Sequence, residues 1–439
     1  MAGLRFRSAE FRGAQVVAGL AVLPLLVGLT IGGGAGGTSG SSRGRLGFSV
    51  GAPHYRLVDL SQYLPAGYAD EVPIAINVHG EVAGEVMSSA VASPSPFSAL
   101  AAVRARLTAV FATEAGPQPV PHVFVYYAGH LTVLPTAPGV TQAWVAGLND
   151  AGDLAVVTCA ADCNHYFVVR QVSGSFIWTA LGGANGGLGG LGPIADDGDV
   201  AGAIVKHELA VPVLWRLTPK GTYGPPEELG VEASSQFARI YVPDAILSRS
   251  PRDLEGGVEN TINFYPSGTP VLWGPKIAHD PGFIGSQTMA LGGAPTAMVA
   301  AVGGSQPVPV CGPACPIDPV VYDVAVPKGV PIVSDKRTLQ APRVPHCGVS
   351  PYGVTIDPHQ VPVTVGQAAL VDNGNSSYVP EAVIWLGSRL FLLDSAIKAP
   401  ARTDLQSANA IDSPGWIVGT GQIAGKTAQA FLLEPTYRW

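Results

Sequence analysis

Short apolar runs separated by Asn, Asp and Gly recur along the chain and predict β-hairpins. Four segments follow one pattern, namely Ala75–Gly84, Gly147–Ala155, Pro193–Gly202 and Ala410–Gly419. Each has an apolar pair, turn-forming residues, an aligned glycine and then an apolar or β-branched run. Asn, Asp and Gly tolerate the positive φ angles that tight hairpin turns require, while the flanking strands bury one face. Each segment therefore predicts a strand, a turn and a second strand.

A second strand–turn–strand pattern follows the first one. His122–Leu134 has its turn at Ala128-Gly129, and Leu386–Leu393 repeats this turn and the returning strand. Shorter segments match the strand before this turn, at His165–Val169, Pro212–Trp215, Pro270–Trp273 and Ala382–Trp385. The repeating unit is therefore two hairpins, or four strands.

The spacing of the aligned glycines predicts a β-propeller. Gly80, Gly152, Gly198 and Gly415 are separated by 72, 46 and 217 residues, and an interval of 46 fits one four-stranded blade. The interval of 72 contains an Ala/Ser/Pro-rich insertion near residues 88–121, which we interpret as a loop or lid. The last interval holds four or five units, with weaker turn candidates at Ser250–Asp253, Gly292–Pro295 and Pro351–Gly353.

The sequence therefore predicts an all-β fold, a β-propeller of about seven four-stranded blades, with six to eight as the accepted range. Single blades cannot bury both faces, so closure into a ring supplies stability and removes exposed edges. The strand at Tyr55–Leu60 and the final strand at Gln429–Leu433 are predicted to share one blade.

The hairpin pattern Ile-Asn-Asp-x-Gly-x-Val-x-Gly followed by a His-Ala-Phe-Leu strand resembles the bacterial extracellular HAF-repeat proteins. The matching stretches are Gly147–Ala155 with His165–Val169, Ala75–Gly84 with His122–Val125, and Ala408–Pro435. The last stretch has Gln429 where the family has histidine, and residues of about 220–370 match poorly, so the resemblance covers about half of the chain. It implies an exported, propeller-like repeat protein and transfers no established activity.

Composition fits this fold and excludes some classes of partner. The 439 residues are 47% hydrophobic and 13% charged, and 55 Gly and 39 Pro disfavour long solvated helices. A net charge of −7 provides no basic stripe for phosphates, which argues against nucleic-acid binding. We expect residues 52–439 to form the propeller domain.

Residues 1–45 predict export. Arg5, Arg7 and Arg12 precede an apolar run from about Ala14 to Ile31, and the Gly/Ser-rich spacer Gly32–Ser42 follows it. A positive flank, an apolar centre and a small-residue tail are typical of an export signal. The run is also nearly long enough for an uncleaved membrane anchor. The protein is therefore expected to be secreted, or anchored on the outer side of the cytoplasmic membrane through this segment alone.

Cysteine spacing agrees with an oxidising compartment. Cys159 and Cys163 have the same spacing as Cys311 and Cys315, and each pair could close a small loop disulfide. Free thiols and metal ligation, the latter with His165 near Cys163, stay open as alternatives. Cys347 is left over, either buried or paired between chains.

No residue set rises to a catalytic, cofactor-binding or metal site. The Asp196–Asp199 and Asn149–Asp153 segments lack the spaced ligands of a calcium loop, and turn chemistry explains them. His122 and His165 occupy equivalent repeat positions, which points to a structural role. Three tryptophans at matching strand positions are interpreted as packing between blades rather than as a sugar-stacking surface, namely Trp215, Trp273 and Trp385.

Two functions remain at this stage. The first is a non-enzymatic binding or scaffold module that presents loops to a protein, a glycan or another envelope component. The second is a secreted hydrolase or lyase with its site at the channel of the propeller. The small number of charged residues favours the binding module, and no cofactor is predicted.

Overall fold

The structure of the protein is a computed structural model. The described residues are 53–88, 119–137, 140–159, 165–182, 191–206, 209–228, 236–241, 245–254, 257–265, 286–294, 297–305, 319–325, 332–342, 346–371, 378–400 and 402–436. The predicted export segment, the bulk of the predicted insertion, and Cys163, Cys311 and Cys315 lie outside these ranges. In the part of the chain so described, no helix is long and apolar enough to cross a bilayer.

The described chain is built from antiparallel strands and two short 3-10 turns, Leu60–Tyr63 and Leu393–Ala396. In the first half the strands are β1 (Tyr55–Asp59), β2 (Tyr68–Ile76), β3 (Val82–Ser88), β4 (Pro121–Tyr127), β5 (His130–Val133), β6 (Gln142–Leu148), β7 (Leu154–Cys159), β8 (His165–Val172), β9 (Ser175–Ala180), β10 (Leu191–Ile194), β11 (Val200–Lys206), β12 (Leu209–Trp215) and β13 (Glu227–Glu228). The second half contains β14 (Gln236–Tyr241), β15 (Ala245–Leu254), β16 (Gly257–Tyr265), β17 (Ser286–Ala294), β18 (Ala297–Ser305), β19 (Val320–Ala325), β20 (Ile332–Thr338), β21 (His346–Ile356), β22 (Pro362–Val371), β23 (Tyr378–Leu386), β24 (Arg389–Leu392), β25 (Asp404–Ile411), β26 (Ile417–Ile423) and β27 (Lys426–Pro435).

These strands form seven consecutive blades within the described residues. Blades 1, 2 and 3 are β2–β5, β6–β9 and β10–β13, and blade 4 shows three strands, β14–β16. Blades 5 and 6 are β17–β20 and β21–β24, joined at one corner where the end of β18 pairs with the start of β21. Blade 7 is β25–β27 with β1 as its outer strand. The predicted all-β propeller of about seven blades is confirmed.

The N-terminal strand closes the ring. β1 pairs antiparallel with β27, with Tyr55 opposite Pro435 and Asp59 opposite Phe431. The first strand of each blade contacts the blade before it, as β2 contacts β26 and β6 contacts β3. The predicted sharing of one blade by the two ends of the propeller domain is therefore confirmed.

The hydrophobic core lies between the blades rather than in one central mass. Val82 packs in the cluster that joins blade 1 to blade 7, whereas the next residue, Ala83, packs in the cluster that joins blade 1 to blade 2. Successive side chains of a strand point to opposite faces, so the middle strands of a blade are buried on both faces. This explains why five successive residues of β3, Val82–Val86, are buried without alternation, Glu85 among them.

Two of the repeated tryptophans seal joints between blades. Trp215 packs against Tyr166 and Val168 of the preceding blade, and its Nε1 donates to the Gly182 carbonyl at 2.8 Å. The Nε1 of Trp385 donates to the Gln340 carbonyl at 2.9 Å in the same manner. Both side chains are fully buried, which agrees with a packing role. Trp273 lies outside the described residues.

Within the described ranges, five blades each have an equivalent turn between their first and second strands. In each, the amide of the first residue donates to the carbonyl of the fifth, and the amide of the fourth donates to the carbonyl of the first, as at Asn77–Glu81, Asn149–Asp153, Ala195–Asp199, Asp357–Val361 and Asp412–Trp416. The predicted glycines occupy the fourth position of four turns, with φ between 74° and 90°. Gln360 holds this position in blade 6 with φ 62°. We call the end of the ring that carries these turns the turn face.

Two of the weaker turn predictions are wrong. Ser250–Asp253 lies inside β15, and Pro351–Gly353 lies inside β21, where a register shift bends the strand. The turn of blade 6 is instead Asp357–Val361, which the glycine pattern missed because Gln360 takes the left-handed conformation. Gly292–Pro295 falls at the end of β17, next to the hairpin with β18.

Glycine in the second strand of a blade permits a close approach of the first strand. A Cβ atom at Gly419 would lie 1.9 Å from the Ser407 carbonyl oxygen, and one at Gly84 would lie 2.4 Å from the Val72 carbonyl oxygen. Both contacts occur where the pairing of the first and second strands shifts register. The glycine of the repeated Val-x-Gly pattern is therefore required by a bulge in the neighbouring strand.

A ladder of side-chain hydrogen bonds links the turns of successive blades. The Nδ2 of Asn77 donates to the Asn149 carbonyl at 3.0 Å, and the Nδ2 of Asn149 donates to the Ala195 carbonyl at 2.8 Å. The Oδ1 of Asn149 also accepts from the Asp153 amide at 2.8 Å within its own turn. Both asparagines are almost completely buried, so these bonds satisfy groups that water does not reach.

We expect Asn149→Ala to lower the free energy of unfolding by about 2 kcal/mol, because it leaves the Asp153 amide without its partner and removes one of the two hydrogen bonds that the Ala195 carbonyl accepts, the other being from the Gly198 amide. Chemical denaturation of the purified domain measures the change. His359→Ala, at an exposed position of the equivalent turn in blade 6, serves as the control and should change stability by less than about 0.5 kcal/mol. Equal stability of the two variants would contradict a structural role for the ladder.

Candidate functional site

A cleft opens on the turn face between blades 1 and 2, which we call the blade 1–2 cleft. Its volume is about 680 Å³, within the range of small-molecule sites. Its inner end is formed by the turn residues His79, Glu81 and Asp150. Its outer end is formed by the second hairpins of the two blades and includes Tyr127, His130, Gln171 and Phe176.

In the next two blades, an acid–arginine pair joins the first turn to the third strand. The Nε of Arg170 lies 2.9 Å from Oδ2 of Asp153 in blade 2. The Nη1 of Arg216 lies 3.0 Å from Oδ2 of Asp199 in blade 3. The acid follows the turn glycine directly in both blades, so the same pair occurs in two successive blades.

Arg170 also fills the space between blades 2 and 3. Its Nη2 donates to the hydroxyl of Tyr223 at 3.1 Å, and its guanidinium lies 5.8 Å from the centre of the Tyr223 ring. The Tyr223 hydroxyl donates in turn to the Gly198 carbonyl at 2.7 Å. An acid, an arginine and an aromatic ring thus occupy the position between blades 2 and 3 that corresponds to the blade 1–2 cleft.

Strand pairing identifies the equivalent residues of blade 1. In each of blades 1, 2 and 3, the first residue of the second strand pairs with a residue of the third strand. These pairs are Val82 with Tyr126, Leu154 with Val169, and Val200 with Trp215. The next residue is Arg170 in blade 2 and Arg216 in blade 3, but Tyr127 in blade 1. Blade 1 therefore has a tyrosine at the position where blades 2 and 3 have an arginine.

The other two positions keep their chemical character. Glu81 follows the turn glycine of blade 1, as Asp153 follows that of blade 2. Gln171 follows Arg170 in the sequence and pairs with Phe176. In the same way, Leu217 follows Arg216 and forms a β-bridge with Tyr223. Phe176 is therefore the equivalent of Tyr223. The blade 1–2 cleft retains the acid and the ring but not the guanidinium.

Burial raises the pKa of Glu81 above its ordinary value, and the nearby Asp153 raises it further. A hydrogen bond from the Nδ2 of Asn77 at 3.1 Å and the charge of His79 act in the opposite direction. No ion pair joins Glu81 to a lysine or arginine of the described chain. Its carboxylate is thus partly desolvated and has no lysine or arginine partner among the described residues.

The lining of the cleft combines hydrogen-bonding groups with aromatic surface. Tyr127 is 55% exposed, while Phe176 is half-buried at the opposite wall. Among the lining residues that the structure describes there is no lysine or arginine. Such a cleft can accept hydrogen bonds from a polar ligand and stack against its flat or apolar parts.

The residues singled out from the sequence occupy structural positions where they are described. Cys159 ends β7 and is buried, and because its proposed partner Cys163 lies outside the described residues, the disulfide stays a prediction, as does that of Cys311 with Cys315. The ring of His122 contacts that of Tyr68 edge-on, at 5.5 Å between centres. Asp150 and Asp196 accept hydrogen bonds from turn amides, at 3.2 and 3.0 Å.

Sequence inspection missed the residues that form the cleft. The usable signal was the recurring spacing of 17 residues between Asp153 and Arg170 and between Asp199 and Arg216. In blade 1 the inserted segment separates Glu81 from Tyr127, so the same spacing finds no partner there. Phe176 is not part of any sequence motif, and its equivalence to Tyr223 appears only from the strand register.

Three carboxylates meet at the joint of blades 6 and 7, toward the end of the ring opposite the turn face. Glu381 in β23, Asp394 after β24 and Asp404 at the start of β25 bring one oxygen each within 4.8 Å of one another. Oδ1 of Asp394 accepts from the Leu405 amide at 2.9 Å. Oxygen ligands of this kind can hold a hard cation such as Ca²⁺.

Burial raises the pKa values of Glu381, Asp394 and Asp404, which we call the acidic triad. The pKa of Glu381 is raised to about 8, first by desolvation and then by the charges of Asp404 and Asp394. The pKa of Asp394 is raised to about 6, again mainly by desolvation, although the Leu405 amide opposes the shift. At neutral pH the folded protein therefore retains a proton on Glu381.

Comparisons with known proteins identify no family for this chain. No protein-family model and no curated protein matches the sequence. Among solved structures, the chain is similar to the β-propeller domain of the Trilobed protease from Pyrococcus furiosus, with 10% identity over 84% of this chain and 97% of that one, at a TM-score of 0.47. A gluconolactonase from Xanthomonas campestris is 12% identical over 88% of this chain and 96% of that one, at a TM-score of 0.33. These likenesses transfer no activity to this chain.

The acidic triad predicts that stability falls as pH rises. Between about 4.5, the ordinary pKa of a glutamate, and about 8, the folded state binds more protons at Glu381 than the unfolded state does, so stability decreases across this window. Glu381→Gln cannot ionise and should lose less stability between pH 5 and pH 8. A smaller drop in melting temperature, by roughly 3 °C, is expected in a thermal scan. The exposed Glu228→Gln variant is the control, and identical pH profiles for all three proteins would contradict the prediction.

Proposed function

We propose that the chain is an exported binding module that acts without catalysis at the cell envelope or outside the cell, with the blade 1–2 cleft as its ligand site. One observation carries this proposal. The repeat fills the space between blades 2 and 3 with Arg170, whereas blade 1 has Tyr127 at the equivalent position, and a cleft opens there.

The composition of the cleft supports binding. Tyr127 and Phe176 offer aromatic surface, while Glu81, Asp150 and Gln171 offer hydrogen-bonding groups around it. The surrounding hairpins are fixed by the sheet and by the turn ladder, so the site is built on rigid elements. A preformed cleft of this kind binds with little loss of conformational entropy.

Export is supported by the sequence of residues 1–45. Its arginines, apolar run and Gly/Ser-rich spacer are typical of an export signal or anchor. The resemblance to extracellular HAF-repeat proteins points to the same location. In that compartment, Cys159–Cys163 and Cys311–Cys315 are proposed to form loop disulfides.

The alternative, a secreted hydrolase or lyase with its site at the channel, has less support. The carboxylates of Asp153 and Asp199 on the turn face are held by Arg170 and Arg216, which leaves them poorly placed for acid–base chemistry. Asp150 is occupied by the Val78 amide.

The binding proposal predicts that Tyr127→Arg closes the cleft. The new guanidinium would occupy the position that Arg170 has in blade 2 and pair with Glu81, as Arg170 pairs with Asp153. We expect this variant to lose binding to arrays of envelope glycans, peptides and small amines by at least about tenfold, which corresponds to about 1.4 kcal/mol. We also expect its melting temperature to equal or exceed that of the wild type.

Tyr127→Phe is the matched control, since it keeps the aromatic ring and adds no charge. It should bind the same array members as the wild type within about threefold. If Tyr127→Arg folds and binds as the wild type does, the cleft is not the ligand site and the proposal is wrong.

The export proposal predicts that the mature protein has few reactive thiols. The full chain expressed with its N terminus should be recovered outside the cytoplasm, and Cys159, Cys163, Cys311 and Cys315 should resist alkylation until a reductant is added. Mass spectrometry of the alkylated peptides measures both the state of each thiol and the N-terminal residue. Recovery in the cytoplasm with four alkylated cysteines would contradict it.

A further inference from the structure

The repeat itself indicates which chemical group enters the blade 1–2 cleft. In blade 2, the Asp153 carboxylate is satisfied by the guanidinium of Arg170, which lies 5.8 Å from the centre of the Tyr223 ring. The equivalent carboxylate and ring of the cleft, Glu81 and Phe176, are both present. Within the described residues of blade 1, no lysine or arginine lies between them, and the Glu81 carboxylate itself lies against Gly152 of blade 2, as Nη2 of Arg170 lies against Gly198 of blade 3.

We propose that the cleft binds an organic cation of the arginine type, a guanidinium or primary ammonium on an apolar stem, which takes the place of the missing side chain. The proposal rests on the proposed function, because it names the ligand class of the same site. The cationic group would pair with Glu81 while its stem and charge lie against Phe176 and Tyr127. Carboxylate pairing and contact with an aromatic face are the two interactions that favour such cations.

The electrostatics of the lining agree with a cation and oppose an anion. Glu81 and Asp150 face the cleft, and no lysine or arginine lines it among the described residues. The partial burial of Glu81 means that a charge brought to it is screened less by water than at an open surface. A phosphate, sulfate or uronate group would meet two carboxylates, with the histidines His79 and His130 but no lysine or arginine beside them among the described residues.

Geometry also favours a ligand with a long stem. The cleft extends from the turn residues His79 and Asp150 outward to His130 and Phe176 on the second hairpins. An arginine side chain crosses the corresponding distance between blades 2 and 3, from β8 to the hydroxyl of Tyr223. A ligand with three or four methylene groups behind its cation would match that reach.

The deciding comparison uses two ligands that differ only in charge. N-acetylarginine amide and its neutral isostere N-acetylcitrulline amide are titrated into the full-length protein by calorimetry. We expect the arginine compound to bind at least about tenfold more tightly, and to weaken as NaCl is raised. Agmatine and a short peptide with a central arginine form two further arms. Tighter binding of agmatine points to a small amine as the source, and tighter binding of the peptide points to an arginine side chain of a polypeptide.

Two variants test the role of the carboxylate. Glu81→Gln should weaken the arginine compound by about tenfold and leave the citrulline compound unchanged, since only the charge is removed. Glu228→Gln, an exposed carboxylate of blade 3 outside the cleft, should change neither affinity. The wild-type comparison stands even if Glu81→Gln fails to fold.

Equal affinity for the two isosteres, or no binding of either, would overturn the cation proposal. The binding function is judged separately by Tyr127→Arg on the array. If that variant loses the binding of a neutral array member, the cleft is still the ligand site while the cation proposal is wrong. If it loses nothing, the proposed function itself fails.

Discussion

The burial of every blade between two neighbours is the constraint on which this structure depends. A four-stranded sheet presents two apolar faces, and a single blade has nothing to cover either of them. Val82 and Ala83, adjacent in β3, each belong to a different joint. The ring must therefore close: β2 packs against β26 and β27 and covers the last blade, while β1 completes the outer edge of that blade by pairing with β27. Burial, closure and the position of the N-terminal strand are thus consequences of one requirement.

The fold was predictable because the repeat encodes local geometry in few residues. A left-handed glycine at the fourth position of the turn marks four of the turns, and the interval of 46 residues between Gly152 and Gly198 is the length of one four-stranded blade. The prediction failed where other residues adopt the same geometry. Gln360 takes the conformation of the aligned glycines, so its turn was invisible to a glycine pattern, and Pro351–Gly353 was mistaken for a turn although it forms a bend within β21.

The candidate site was far less predictable than the fold. The cleft between blades 1 and 2 depends on the absence of an arginine at a position where blades 2 and 3 have one. Such an absence is visible in a single sequence only after the blades have been aligned with one another. Tyr127 is an ordinary strand residue until strand register places it beside Arg170 and Arg216. The inserted segment in blade 1 hides that equivalence in the sequence. Function in a repeat protein can thus arise where one blade lacks an interaction that two other blades have.

On the turn face, the joint between blades 7 and 1 differs from the joints of blades 1–2 and 2–3. Between blades 1, 2 and 3 the turns are linked by directional hydrogen bonds from Asn77 and Asn149. At the closing joint, the ring of Trp416 lies over Gly80, where a Cβ atom would be only 2.7 Å from it. Hydrogen bonds demand a fixed angle, whereas a flat ring against a bare backbone allows sliding at little cost. The closing joint therefore combines an adaptable aromatic contact at the turn face with fixed hydrogen bonds elsewhere along it, from Asn409 to the Pro73 carbonyl and from the Ala430 amide to Glu71.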